Sequence, residues 1–357
     1  LYLGVDHPSD AFTSAIYALA VTVVLFRWFA PEHAFPVTWE RGVAAHLDVT
    51  GARGEAIKRA VGEQLGLEVL EIEPFGLEGS GGSTPLRLKV AADPEQHVFA
   101  KLYSHTHLRS DRWYKVGRTI LYGSLEDEVR FSSVRRLVEY EDYIQRLMSA
   151  SGVPCAEPYG IVELAPEREY LMVSEFLEGS EELTNAEIDD TIIDHALRVV
   201  RSMWDAGLAH RDIKPANVML NQGRVVLIDV AFGTVRPSPW RQAVDLANMM
   251  VILALRTDAE HVYQRALLQF APEDIAEAFA ATRSVTLPSQ SRSSLALIKK
   301  EQGIDLVEEF RRLAPATEPI SIQRWSSRRI RLTLGALLVG LFALAMAVSE
   351  LTGGGIL

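Results

Sequence analysis

The residues best equipped to act together lie in His210-Arg211-Asp212-Ile213-Lys214-Pro215-Ala216-Asn217-Val218-Met219-Leu220, and in Leu227-Ile228-Asp229 one turn later. Transfer of a phosphoryl group asks a protein for little covalent chemistry, because positioning and charge neutralisation do nearly all the work. One carboxylate must accept or steer the proton of an attacking hydroxyl, and oxygen ligands must hold Mg2+ on the phosphates. Asp212 suits the first task, and Asn217 and Asp229 suit the second. The competing reading is a polar loop without chemistry, which requires several fixed positions to coincide by chance.

Local elements must bring these groups together. Residues 218–220 and 224–228 flank Asn221-Gln222-Gly223, a tight turn, so both candidate metal ligands fall on one hairpin. Ile188, Ile192, Ala196, Val199 and Met203 recur at helical spacing, with Gly207 as the cap, and that helix delivers the chain to His210. Upstream, a glycine-rich stretch from Phe75 to Thr84 precedes two strands, residues 86–91 and 97–103, joined across Asp93-Pro94. Such a turn lets backbone N–H groups approach phosphates, which makes Gly79, Gly81 and Gly82 candidate ATP contacts. Lys101 sits in the apolar strand Val98-Phe99-Ala100-Lys101-Leu102, and a buried lysine needs a partner anion. A charged region over 118–148 reads as helical and offers Glu139 or Glu141.

The chain has 357 residues, enough for one large or two ordinary domains. Its net charge of −11 argues against non-specific nucleic-acid binding. Cys155 is the only cysteine, which excludes an internal disulfide framework and a multi-cysteine metal site. Residues 11–30 and 330–348 are long apolar runs and are expected to be transmembrane helices. Arg324, Arg328, Arg329 and Arg331 precede the second run, and residues 1–26 contain no Lys or Arg, which would put residues 31–329 in the cytoplasm at the cell membrane. Residues 31–70 read as a juxtamembrane linker with a short polar helix near 55–65. The start at Leu1 suggests a piece of a longer protein.

The spacing His-Arg-Asp-x-x-x-x-Asn, followed by Asp229, resembles the catalytic loop of the protein-kinase-like superfamily, and the resemblance extends over about residues 71–315. It implies an α+β fold: a bilobal protein-kinase-like domain, here flanked by transmembrane helices, with an N-lobe over 71–178 and a C-lobe over 179–320. It also implies that Lys101 contacts the α- and β-phosphates and that Glu141 is its partner. Ser174 would lie at the back of the pocket, and the backbones of Glu175 and Leu177 would bond adenine. His210 would be a packed structural histidine, Lys214 would stabilise the transferring phosphoryl, and Asp245, on a buried helix, would brace the loop. The chain departs from the pattern in three places. Thr84 stands where a third glycine is usual, and Asp229-Val230-Ala231-Phe232-Gly233 replaces Asp-Phe-Gly. Ala271-Pro272-Glu273 follows the Asp245 helix and reads as an ordinary helix start. The short interval from Asp229 to Asp245 is similar to the RIO, lipopolysaccharide-core and small-molecule kinase branches.

The expected function is therefore a membrane-anchored kinase that uses ATP and Mg2+. Its partners would be ATP, the lipid bilayer and a hydroxyl acceptor, with a lipid or glycan precursor preferred over protein serine or threonine. The alternative is a pseudokinase: a nucleotide-sensing module that regulates the membrane part of a longer protein.

Overall fold

A computed structural model describes residues 12, 14–22, 49, 51–75, 83–92, 96–104, 133–164, 169–282, 286–317, 331–332, 334–340 and 342. The chain forms two compact units, Leu1–Val43 with Gln323–Leu357, and Ala44–Ile322. In the first unit, residues 14–22 and 334–340 are helical. Among the described residues no helix is long and apolar enough to cross a membrane. This overturns the transmembrane helices expected over 11–30 and 330–348, and with them the argument for a membrane address. The remainder of both runs lies outside the described residues.

The second unit opens with helix α1 (Gly51–Leu65) and five antiparallel strands: β1 (Val69–Pro74), β2 (Thr84–Val90), β3 (Gln96–Tyr103), β4 (Pro158–Leu164) and β5 (Glu169–Glu175). The strands lie in the order β1-β2-β3-β5-β4. Because side chains alternate along a strand, each strand serves both faces of the sheet. Leu86, Leu88, Val98, Ala100, Leu102, Val162, Leu171 and Val173 form one apolar face, and Ile57 and Val61 of α1 cover it. The helix that the sequence places near 55–65 is thus part of a core. Gln64 also caps the β4 edge, donating to Glu163 O (2.8 Å) and accepting from Glu163 N (3.0 Å). The opposite face carries Tyr103, Tyr170 and Met172, against which Val134 and Val138 of helix α2 (Val134–Ala150) pack.

The larger, mainly helical part contains α3 (Asp190–Asp205), α4 (Pro239–Ala254), α5 (Ala259–Ala266), α6 (Pro272–Ala281), α7 (Ser289–Gln302) and α8 (Leu306–Leu313). Short strands β6 (Glu181–Glu182), β8 (Val218–Asn221) and β9 (Arg224–Leu227) form one small sheet, and β7 (Leu208–Ala209) pairs with β10 (Thr234–Val235). Asp189 caps α3 by accepting from Ile192 N at 2.9 Å. The helix buries Ile193, Ala196, Leu197, Val199, Val200 and Met203, while Ile188 precedes it and Ile192 is only partly covered. Helix α4 is buried almost all round, from Ala243 to Ala254. Pro272 opens α6, with Asp274 accepting from Ala271 N, so Ala271-Pro272-Glu273 is a helix start. Ile144 and Met148 of α2 belong to this second core, so α2 contributes to both.

Ile57, on the face of α1 turned to the sheet, is fully buried. Ile57→Ala should lower the stability of the chain by about 2–5 kcal/mol in urea unfolding, whereas a position in a loose linker would shift it by less than about 0.5 kcal/mol.

Candidate active site

The site begins where α3 ends. Gly207 takes a φ of +66 just past the helix and donates to Trp204 O at 3.0 Å, turning the chain into β7 and then His210. His210 is completely buried, and both ring nitrogens are engaged. Its Nε2 lies 3.0 Å from Ile228 O, and its Nδ1 accepts from Asp212 N at 3.3 Å. Those partners assign the proton to Nε2, and burial pushes the imidazole pKa down, keeping the ring neutral. His210 therefore acts as a strut between the two halves of the motif.

Asp245, in the middle of α4, supplies the foundation. Its carboxylate accepts from His210 N at 2.6 Å and from Arg211 N at 2.9 and 3.2 Å. Burial pushes its pKa up to about 7, and the two backbone N–H groups oppose that shift. The brace holds Arg211 at a φ of +69, a left-handed conformation that is strained for a side chain of this size. Beyond it, Lys214 Nζ donates to Asp212 Oδ2 at 2.6 Å. Asn217 Nδ2 donates to Asp212 O (2.9 Å) and Oδ2 (3.0 Å). With its amino group so used, Asn217 keeps its carbonyl oxygen as the acceptor that a hard cation would take.

Asp229 follows the β8–β9 hairpin, whose turn residues Gln222 and Gly223 have φ of +49 and +76, as a two-residue hairpin loop of this hand requires. Asp229 is itself left-handed, at φ 61 and ψ 64, and leads into a tight helical turn over Val230–Phe232. Across the cleft, Lys101 Nζ donates to Asp229 Oδ1 at 2.6 Å and to Glu141 Oε1 at 2.8 Å. Burial pulls the lysine pKa down, but Asp229 and Glu141 outweigh it and hold it well above the usual value. Glu141 is completely buried, whereas Glu139 is spent on surface pairs with Arg135 and Arg136.

Lys101, Glu141 and Asp229 line a cleft of about 210 Å³ with Phe75, Phe99, Met172, Ser174 and Met219. Ser174 and the chain from Glu175 to Leu177 form one wall of it. The Glu175 N–H donates to Glu157 O at 2.8 Å. The Leu177 carbonyl accepts from Ser180 N and Oγ at 3.2 and 2.8 Å, which fixes the turn after this segment. Gly79, Gly81 and Gly82 lie outside the described residues. The structure thus gathers Lys101, Glu141 and Asp229 on one cleft, while Asp212, Lys214 and Asn217 form a second cluster that His210 ties to the segment before Asp229. Sequence reasoning missed Phe99, which shares the Lys101 face of β3, and Gln290, whose Oε1 accepts from Ala216 N at 3.1 Å and ties α7 to the stretch 210–220. The two-residue period of β3 was the available signal for Phe99, and nothing local points to Gln290.

Among the described residues no group of three or more His, Cys, Asp and Glu side chains could hold a metal ion. Mg2+ at phosphate sites is held by one or two protein ligands plus phosphate oxygens and water, so the Asn217 carbonyl and an Asp229 carboxylate oxygen would be the protein's share of such a site.

Lys101 holds the Asp229 carboxyl down at about 2 from an ordinary 3.8, against the opposing effect of burial. A depressed carboxylate contributes stability that is complete above its unfolded pKa and disappears as pH falls through its folded one. The stability gap between the wild type and Asp229→Asn should therefore be full at pH 7 and shrink as pH falls from 3.8 toward about 2. Urea midpoints across that range measure it, and a gap that does not change with pH would contradict the Lys101–Asp229 coupling.

No protein-family model matches the chain, and no curated protein matches it in sequence.

Proposed function

We propose that residues 44–322 form an ATP-dependent, protein-kinase-like phosphotransferase acting on a hydroxyl acceptor, with Mg2+ as cofactor. The observation that supports this most strongly is the placement of Lys101, Glu141 and Asp229 in one ion-paired cluster lining the cleft. In this reading the acceptor oxygen bonds to the γ-phosphorus while the bond from that phosphorus to the β,γ-bridging oxygen breaks, and ADP leaves with the electron pair. Asp212 steers and accepts the hydroxyl proton, which passes on to solvent. Lys214, 2.6 Å from Asp212, offsets the charge on the phosphoryl group in flight. Lys101 binds the α- and β-phosphates, and Asn217 and Asp229 hold Mg2+, which when bound neutralises phosphate charge.

A module that only senses nucleotide needs Lys101, Asn217 and Asp229 but not the Asp212–Lys214 pair, and this favours transfer over sensing. With the expected spans overturned, the preference for a membrane-borne acceptor loses its main support. The remaining support for a non-peptide hydroxyl is the short path from Asp229 to α4, taken up by one helical turn and the β10 pairing.

The test uses the purified chain with ATP and MgCl2, measuring hydrolysis and autophosphorylation. Asp212→Asn should lower turnover about 100-fold or more while ATP still binds, as expected for loss of a general base. Equal turnover by the two proteins, above background, would overturn the assignment.

A further inference from the structure

We propose that Tyr103 is a positioning residue for nucleotide binding: its hydroxyl fixes the Glu141 carboxylate so that Glu141 can present Lys101 to the cleft. This rests on the phosphotransferase reading above. Tyr103 lies on β3 two residues beyond Lys101, so the two side chains leave the same face of the strand. Its ring is buried among Val134, Val138, Tyr170 and Met172, and its hydroxyl donates to Glu141 Oε2. Lys101 occupies the other oxygen, Oε1, at 2.8 Å.

Glu141 has no access to solvent, and a buried carboxylate needs donors on both oxygens. Here β3 provides both. Lys101 has a second anion in Asp229, only 2.6 Å away. Phosphate and Mg2+ would compete for Lys101 and Asp229, so the lysine needs an anchor that stays in place when that contact loosens. Tyr103 makes Glu141 that anchor, because the carboxylate cannot rotate away without leaving a buried phenol and a buried oxygen unsatisfied. Burial, reinforced by Glu141, holds the phenol pKa well above its usual value, so Tyr103 is a donor at neutral pH.

The test compares the wild type, Tyr103→Phe, Glu141→Gln and the double variant in titrations with ATP and MgCl2. Amide hydrogen exchange over residues 134–150 is followed without ligand. Tyr103→Phe keeps the buried ring and loses only the hydroxyl. It should weaken ATP binding roughly tenfold, the scale of a buried hydrogen bond to a charged acceptor. In the Glu141→Gln background the same change should cost less than about twofold, because a residue acting only through Glu141 loses its effect there. Exchange over 134–150 should rise in Tyr103→Phe, with exchange in α6 unchanged. Unaltered ATP affinity, or an equal loss in both backgrounds, overturns the proposal. If the wild type binds no ATP, the phosphotransferase reading fails, and the exchange measurement still decides: unchanged protection of α2 overturns the tether. Tyr103→Met, which also fits the apolar site, carries the same comparison if the phenylalanine variant does not fold.

Discussion

Lys101 is the constraint on which the rest of the site depends. A lysine ammonium with only 11% of its side chain exposed is tolerated because two carboxylates meet it. Glu141 comes from α2 and Asp229 from the end of the β8–β9 hairpin, so satisfying one cation requires three separate elements to arrive together. Removing one partner of a buried pair leaves an uncompensated charge, at a typical cost of about 3–5 kcal/mol. The cleft is therefore coupled to the fold: a chain in which β3, α2 and the hairpin are misplaced also carries an unpaired buried ammonium.

The strain in the site is held in place by a deeper layer. Two non-glycine residues of the motif, Arg211 and Asp229, sit at positive φ, a conformation that costs of order 1–3 kcal/mol each unless the surroundings enforce it. Asp245 enforces the first by taking both N–H groups of the bend, and it can do so because α4 is immobilised by apolar packing on every side. His210 links the first to the second, bonding at one nitrogen to the Asp212 N–H and at the other to the carbonyl just before Asp229. The unusual backbone of the site is thus maintained by one buried acid and one buried neutral imidazole, neither of which faces the cleft.

The parts of this arrangement legible in the sequence are those set by short-range rules. The hairpin between Asn217 and Asp229 follows from its turn residues, and the helix bearing Asp245 from a run that is apolar apart from Asp245 and Asn248. The choice of Glu141 over Glu139 was also available on physical grounds, without any family spacing. Val134, Val138, Glu141, Gln145 and Met148 are the buried stripe of α2, so the carboxylate stands in the middle of an apolar face and Glu139 lies off it. What the sequence hid depends on long-range packing. Residues 51–65 read as polar because Ile57 and Val61 are the only fully buried apolar side chains, with Ala60 and Leu65 partly covered, and the apolar surface that needs them belongs to strands farther along the chain. The apolar runs at either end misled for the opposite reason. Hydropathy counts residues, while crossing a bilayer also requires one continuous helix of sufficient length, which the described residues do not form.

The position of α2 explains why the cleft has a defined width. Its first half packs on the sheet and its second half lies in the larger core, with Glu141 between them. A helix shared in this way cannot move with one core without disturbing the other. Gly233 sets the distance of closest approach on the second side. Its φ is −54, so conformational freedom is not the reason for a glycine there. A Cβ at that position would lie 2.5 Å from Ile144 Cγ2 and 3.0 Å from Val230 O, so any side chain would drive α2 away from the turn that follows Asp229. The separation between Glu141 and Asp229, and hence the geometry in which both can hold one lysine, is set by the absence of a single methyl group beneath the helix.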